Sequence, residues 1–346
     1  MALINEADVE VKIPVIDIRP VNPNAAQQLL AAAAGNGFVF IEPWETGIEQ
    51  EDVDKMFELS KQFFASPFEV KEEVSISSNK AGKNYGWLSQ GVEKLDPATQ
   101  KRPDVKEAFN MGEPVGDELQ QSLPRPLQPH ENTLIEFQRK CHRLCQRVLQ
   151  QFAVGLGIDE HWFTDRHDES RGPSGTMFRL LYYPQVDGIE DGVDIRAGAH
   201  SDYGSITLLF QQRGGNPGLE IKTPSGEWAP VPVDPKEHLV GSAHDDTSAE
   251  RPLPILVNIG DLLEDWTDGL LKSTVHRVIF PEASSGDRYS IAYFCHPLDE
   301  ALLEPVPSDL VKDHALKSGN KLARDGKLIT AKDHLMERLA ATYTVK

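Results

Sequence analysis

Two short patterns in this chain belong to one chemistry: His200-Ser201-Asp202, joined further along by His276, and Arg288-Tyr289-Ser290 beyond it. In an extended strand residues i and i+2 project from one face, so His200 and Asp202 converge while Ser201 turns away. His276 has to arrive from a second strand, because three ligands on one strand cannot surround an ion. Two imidazoles and a carboxylate leave coordination positions open, a donor set suited to a redox-active iron(II) that binds a co-substrate and O2 together. A second His-x-Asp triplet, His244-Asp245-Asp246, lies in a polar stretch without strand pattern, whereas the first runs into Ser205-Ile206-Thr207-Leu208-Leu209-Phe210. Only the first has a scaffold. By itself it reads equally well as a pair on a surface loop, and the residues downstream decide the matter.

Arg288 and Ser290 stand in Asp287-Arg288-Tyr289-Ser290-Ile291-Ala292-Tyr293-Phe294, a run of strand formers. Alternation puts Arg288, Ser290, Ala292 and Phe294 on one face and Tyr289, Ile291, Tyr293 and Cys295 on the other. A strand so apolar on both faces is buried, and an arginine on it must be paired. Its guanidinium fork matches a carboxylate in bidentate fashion, and the Ser290 hydroxyl can bond the same group. A dicarboxylate co-substrate fits this pair; a structural salt bridge is the competing reading.

Five segments occur in order: Arg179-Leu180-Leu181-Tyr182-Tyr183-Pro184, then Gly198 through Leu209, Asn258-Ile259-Gly260-Asp261, Thr274-Val275-His276-Arg277-Val278, and Arg288 through Phe294. Upstream stand Ile13-Pro14-Val15-Ile16-Asp17, Gly37-Phe38-Val39-Phe40-Ile41, Phe63-Phe64, Tyr85-Gly86-Trp87 and Asp104-Val105-Lys106-Glu107-Ala108-Phe109. In these features the chain resembles, over nearly its whole length, the iron(II)/2-oxoglutarate-dependent dioxygenases of the isopenicillin N synthase-like group, closest to the fungal thymine 7-hydroxylase-like branch. The resemblance implies a mainly β fold with flanking helices, a double-stranded β-helix (jelly-roll) barrel preceded by an α/β N-terminal region.

It also implies roles. His200, Asp202 and His276 hold iron(II), and Arg288 and Ser290 bind the distal carboxylate of 2-oxoglutarate. Tyr183, just before a proline, is expected to touch the same co-substrate. Asn258 is expected to orient a ligand or the co-substrate, or else to shape its own strand end. Tyr203 and Phe294 are expected to sandwich a flat substrate ring, with Arg179 donating to its carbonyl oxygen, unless the three simply line a generic pocket. The implied reaction is oxidation of a C–H bond of a small organic molecule by O2, with release of succinate and CO2 and with ascorbate as a supporting reductant. Hydroxylation is the default outcome; desaturation, ring closure or ring expansion differ in how the substrate radical is steered. The substrate classes implied are pyrimidines of the thymine type or the intermediates of secondary metabolism. A zinc hydrolase would leave Arg288-x-Ser290 without a purpose. A non-catalytic jelly-roll binding protein would not need the triad.

Composition sets outer bounds. The formal net charge of −19 over 346 residues argues against nucleic acid or an anionic membrane as partner, so a dicarboxylate site has to be basic locally. Cys141, Cys145 and Cys295 read as small core residues of a chain in a reducing compartment, and Met1 to Val11 has no long apolar run, so cytoplasm is the expected location. A strand is expected at Ile13–Ile18, helices near Asn24–Ala34 and Glu51–Phe64, and the longest helix at Glu131–Gly155, with Leu134, Phe137, Cys141, Leu144, Cys145, Val148, Leu149 and Phe152 in one stripe. Residues 1–125 then form an N-terminal region and 126–346 a helix plus the catalytic barrel, the two expected to pack as one unit. The polar run Asp234–Pro252 reads as a mobile loop in which His238 and His244 are solvated. A final helix at Lys332–Tyr343, with Leu335, Leu339 and Tyr343 on one face, either packs on the barrel or covers the cavity mouth.

Overall fold

The computed structural model describes residues 12–78, 84–96, 98–190, 193–237, 251–281, 286–318 and 328–343. The chain forms β1 (Val15–Ile16), α1 (Ala25–Gly35), β2 (Phe38–Ile41), α2 (Gln50–Phe64), α3 (Phe68–Glu72), β3 (Gly86–Leu88), β4 (Glu107–Gly112) and α4 (Glu131–Gly155). There follow β5 (Met177–Tyr183), β6 (Ala197–His200), β7 (Ile206–Gln211), β8 (Leu219–Lys222), β9 (Trp228–Pro230) and β10 (Ile255–Ile259). Then come α5 (Asp261–Trp266), β11 (His276–Val278), β12 (Arg288–Cys295), α6 (Asp309–Ser318) and α7 (Ala331–Tyr343). The initial strand is shorter than its apolar run, and the helices lie within a residue or so of their sequence signals. His238, His244 and most of the Asp234–Pro252 segment fall outside the described residues.

The strands make two sheets, ordered β1-β2-β10-β7-β12-β5-β4-β3 and β6-β11-β8-β9. They face one another as a double-stranded β-helix, and the inner layer draws on both: Phe38, Leu181, Tyr183 and Ala292 from the large sheet, Leu219, Ile221 and Val278 from the small one. The period-2 rule operates cleanly on β12. Ala292 joins that inner layer, while Ile291, Tyr293 and Cys295 point to the outer face, where helices cover the large sheet.

The stripe on α4 is wholly buried in this outer core and includes free Cys141 and Cys145. Each such aliphatic or aromatic side chain contributes roughly 1.5–3 kcal/mol on leaving water. The same core takes in Ile16, Phe63, Leu127, Phe178, Ile291 and Val311, and β1 to β4 extend the sheet that β5, β7, β10 and β12 centre. Among the described residues no helix is long and apolar enough to cross a membrane.

Candidate active site

His200 ends β6 and His276 begins β11, and the two residues face each other across the ladder. Asp202 lies in the turn that feeds β7. The ligand atoms of the three lie within 4.8 Å of one another, with His200 Nε2 and His276 Nε2 at 3.9 and 3.7 Å from Asp202 Oδ1. Those separations are too long for hydrogen bonds yet convergent, the spacing left by an ion about 2.1 Å from each donor.

The second atom of each ligand is already committed. His200 Nδ1 donates to Gly198 O at 2.7 Å and His276 Nδ1 to Thr274 O at 3.0 Å. A carbonyl only accepts, so both neutral rings carry their proton on Nδ1 and turn a bare Nε2 to the centre. Asp202 Oδ2 accepts from Thr207 Oγ1 and Asn258 Nδ2, both at 2.7 Å, leaving Oδ1 to face inward. Burial alone would raise the Asp202 carboxyl, but the neighbouring imidazoles and these two hydrogen bonds outweigh it and hold it below the usual range. Burial, then the adjacent His276, push His200 down to about 4. A neutral, neutral, anionic donor set with open positions fits iron(II). Because the carboxylate depends on its two donors for orientation, Asn258→Ala is expected to weaken iron affinity roughly 10- to 100-fold, measured by competitive chelator titration, with little change in fold.

The ligand turn is pinned from behind. Asp261 N donates to Asp202 O at 2.8 Å, Leu262 N to Gly204 O at 3.1 Å and Ser205 N to Cys295 O at 2.9 Å. The chains pass so closely that a Cβ at Gly260 would stand 2.2 Å from Gly204 O, and one at Gly204 would stand 2.7 Å from Cys295 O. His167 accepts from Ser205 Oγ at 2.8 Å while donating to Phe163 O at 2.7 Å, and buried His296 lies against Gly204. Burial drives His167 down to about 3 and His296 to about 4. Both are therefore neutral when folded but take up a proton near pH 6.5 when unfolded, so their contribution to stability is complete above about pH 6.5 and declines as pH falls towards 4. The slope reaches about 1.4 kcal/mol per pH unit for each. Urea midpoints of the metal-free protein should fall between pH 7 and 5, and less steeply in His167→Gln.

The inward face of β12 carries the second half of the site. A cavity of about 60 Å³, room for several waters or a small organic acid, is lined by His200, Asp202, His276, Asn258 and Thr207, by Arg288, Ser290 and Tyr183, and by Phe38, Leu181, Leu209, Leu219, Val278, Ala292 and Phe294. Arg288 and Tyr183 are cross-strand neighbours. The guanidinium donates to Ser290 Oγ at 3.1 Å and stands 4.9 Å from the centre of the Tyr183 ring. It is 3% exposed, and no carboxylate among the described residues lies within ion-pair distance. Among the described residues, the structural salt bridge that competes with a ligand role is thus absent.

Sequence alternation fails at one expected site residue. Leu181 and Tyr183 reach the cavity, but Arg179 does not line it: its Nε donates to Asn110 Oδ1 at 2.6 Å and its Nη2 pairs with buried Glu93 at 2.9 Å. The long side chain follows its counter-ion rather than the strand's inward direction. Tyr203 also lies outside the lining, with the Arg338 guanidinium of α7 4.9 Å from its ring centre. Arg338 further bonds Asp261 at 2.9 Å and Ser201 Oγ at 3.2 Å, so α7 rests on the ligand turn itself. Leu335 packs near Gly175, and the Tyr343 side chain lies outside the described residues.

Sequence reading overlooked a buried ionic chain beside the site. Lys106 lies 2.7 Å from Asp104 and 3.1 Å from Glu93, which in turn holds Arg179. Burial would discharge Lys106, but the two acids keep it protonated. Asp104 also accepts from Gly198 N at 3.1 Å, directly behind the carbonyl that orients His200. The acids and the lysine occur within one short stretch; nothing in their types signals that they meet.

A two-histidine, one-carboxylate centre inside a double-stranded β-helix, opposite an unpaired arginine, defines the class of non-haem iron oxygenases. Residues 174–297 match the 2OG-Fe(II) oxygenase superfamily, and residues 13–131 match the family described as non-haem dioxygenase in morphine synthesis N-terminal. The UPF0676 protein C1494.01 of Schizosaccharomyces pombe is 33% identical over 339 residues, 96% of this chain and 93% of its own length. The proline hydroxylase buaE of Petromyces alliaceus is 30% identical, covering 92% of this chain and 93% of that one. The crystal structure of the full-length thymine 7-hydroxylase of Neurospora crassa in complex with alpha-KG superposes with a TM-score of 0.74 at 31% identity, covering 98% of each chain. The chain belongs to the 2OG-Fe(II) oxygenase superfamily and is a 2-oxoglutarate-dependent dioxygenase of the fungal thymine 7-hydroxylase-like branch.

Proposed function

We propose that His200, Asp202 and His276 hold the iron(II), that Arg288, Ser290 and Tyr183 receive the distal carboxylate of 2-oxoglutarate, and that the enzyme hydroxylates a C–H bond of a compact, largely uncharged molecule. The observation that carries this reading is a single cavity with the triad on one wall, the unpaired Arg288 on another, and apolar side chains between. Iron and 2-oxoglutarate supply the oxidising chemistry, with succinate and CO2 as co-products. The chain positions and excludes. Thr207 and Asn258 fix the Asp202 carboxylate, the Gly198 and Thr274 carbonyls fix the imidazoles, and Leu181, Leu209, Leu219, Val278 and Phe294 keep water from the reacting carbon. Three free, buried thiols support a reducing, cytoplasmic location.

A pyrimidine is the more specific reading, supported by the likeness to the Neurospora crassa thymine 7-hydroxylase solved with alpha-KG and thymine, at 30% identity and a TM-score of 0.73. Phe294, on the cavity wall, offers the ring face such a substrate would use. The experiment is a succinate-release screen with iron, ascorbate and 2-oxoglutarate, run on thymine, related pyrimidines, proline derivatives and other small metabolites. Turnover of thymine supports the pyrimidine reading, and turnover of proline derivatives alone replaces it. Turnover that needs no 2-oxoglutarate overturns the co-substrate assignment.

A further inference from the structure

The hydrogen bond that orients His200 rests on an irregularity in β6. His276 stands opposite His200 and Val278 opposite Ala197, so β6 places two residues, Gly198 and Ala199, where β11 places only Arg277. A bulge of this kind takes a residue off the ladder and re-aims the side chain beside it, and bulges are common next to active sites. Here Gly198 offers its carbonyl to His200 Nδ1 at 2.7 Å and its N–H to Asp104 Oδ1 at 3.1 Å. Glycine has the freest backbone of any residue, so a glycine carbonyl that must hold an imidazole needs its own position fixed.

Asp104 is itself held from several sides. Its Oδ1 also accepts from Gln100 Nε2 at 2.7 Å, its Oδ2 accepts from Lys106 Nζ at 2.7 Å, and its backbone N donates to Glu93 O at 2.9 Å. Val105 N donates to Ile195 O at 3.0 Å, and a Cβ on Gly198 would run into the Gln100 side-chain oxygen, so this segment lies directly against β6 and its approach. Asp104, Lys106, Glu93 and Arg179 together make a largely buried set of two acids and two bases. Buried ionic sets can often be exchanged for apolar side chains with little loss of stability. What an apolar side chain could not supply is the acceptor for Gly198 N.

We propose that Asp104 is a positioning residue of the metal centre: by accepting from Gly198 N it fixes the bulge whose carbonyl receives the His200 Nδ1 proton and so turns Nε2 inward. This rests on the assignment of His200 to the metal. Asp104 belongs to residues 13–131 and His200 to residues 174–297, the two segments matched by separate families, so the N-terminal segment helps to build the metal site of the barrel.

The test is competitive chelator titration of Co(II), with the visible d–d spectrum of the Co(II) protein and thermal unfolding of the metal-free protein, on wild type, His200→Ala and two double variants. Asp104→Asn with Lys106→Met, and Asp104→Leu with Lys106→Met, each remove one acid and one base. Both leave Glu93 and Arg179 as a neutral pair, and only the first keeps an oxygen for Gly198 N. The asparagine double variant should bind Co(II) nearly as wild type does, with the same spectrum. The leucine double variant should unfold at a similar temperature yet bind Co(II) roughly tenfold or more weakly, with an altered spectrum. The single variants Asp104→Asn and Asp104→Leu repeat the contrast should either double variant fail to fold. Equal affinity in the asparagine and leucine proteins, whether both match wild type or both are weakened, would overturn the proposal. If His200→Ala weakens Co(II) binding and the leucine variants do not, the triad stands and Asp104 serves the fold alone; if His200→Ala binds Co(II) as wild type does, the assignment of His200 falls too.

Discussion

Replacing His276 by alanine is expected to lower 2-oxoglutarate-dependent turnover more than about a thousandfold, about 4 kcal/mol of barrier. The ring stands opposite His200 across one ladder rung, its Nδ1 is committed to Thr274 O, and Phe38 meets it edge-on at 5.7 Å, so nothing nearby can swing in to replace Nε2. His276 is buried between Phe38 and the ligand turn, and alanine would leave a water-sized gap there. A water in that gap supplies an oxygen donor but no fixed position. Stopped turnover together with weakened iron binding, by chelator competition on a variant that keeps its circular dichroism spectrum, identifies a lost ligand. Full turnover would remove the triad assignment.

Arg288→Ala should raise the KM for 2-oxoglutarate roughly a hundredfold, about 3 kcal/mol, because a carboxylate would enter a buried cavity without its bidentate partner. Among the described residues Arg288 is the one lysine or arginine lining that cavity. Ser290 then offers a single hydroxyl in place of a charged fork. Arg288→Lys restores charge without the fork and should recover only part of the loss. The measurement is initial succinate release against 2-oxoglutarate concentration at fixed substrate. An unchanged KM would mean that the co-substrate binds elsewhere.

The site was legible where backbone periodicity dictates direction. On β12, alternation alone puts Arg288, Ser290, Ala292 and Phe294 on the cavity face, and they line the cavity. It was less legible where a long side chain can choose. Arg179 shares its strand face with Tyr183, yet Glu93, distant in sequence, captures the guanidinium. Asn258 was readable as an orienting residue but not its target, because the hydrogen bond to Asp202 depends on β10 lying beside β7. Thr207 and Lys106 gave no sign, since a threonine in a strand and a lysine among acids are ordinary until their burial is known. The long helix α4 was the easiest element, because one amphipathic stripe fixes both its extent and its buried face.

The close passage of Gly204 and Gly260 divides the enzyme, for purposes of redesign, into a fixed floor and adjustable walls. Any side chain at Gly260 meets the Gly204 carbonyl, and any at Gly204 meets Cys295 O, so mutagenesis of the ligand turn sacrifices iron loading before it alters selectivity. Leu181, Leu209 and Phe294 project into the cavity from β5, β7 and β12, strands that contain none of the metal ligands. A library confined to those three positions can sample new substrate shapes while every member still assembles the same metal centre.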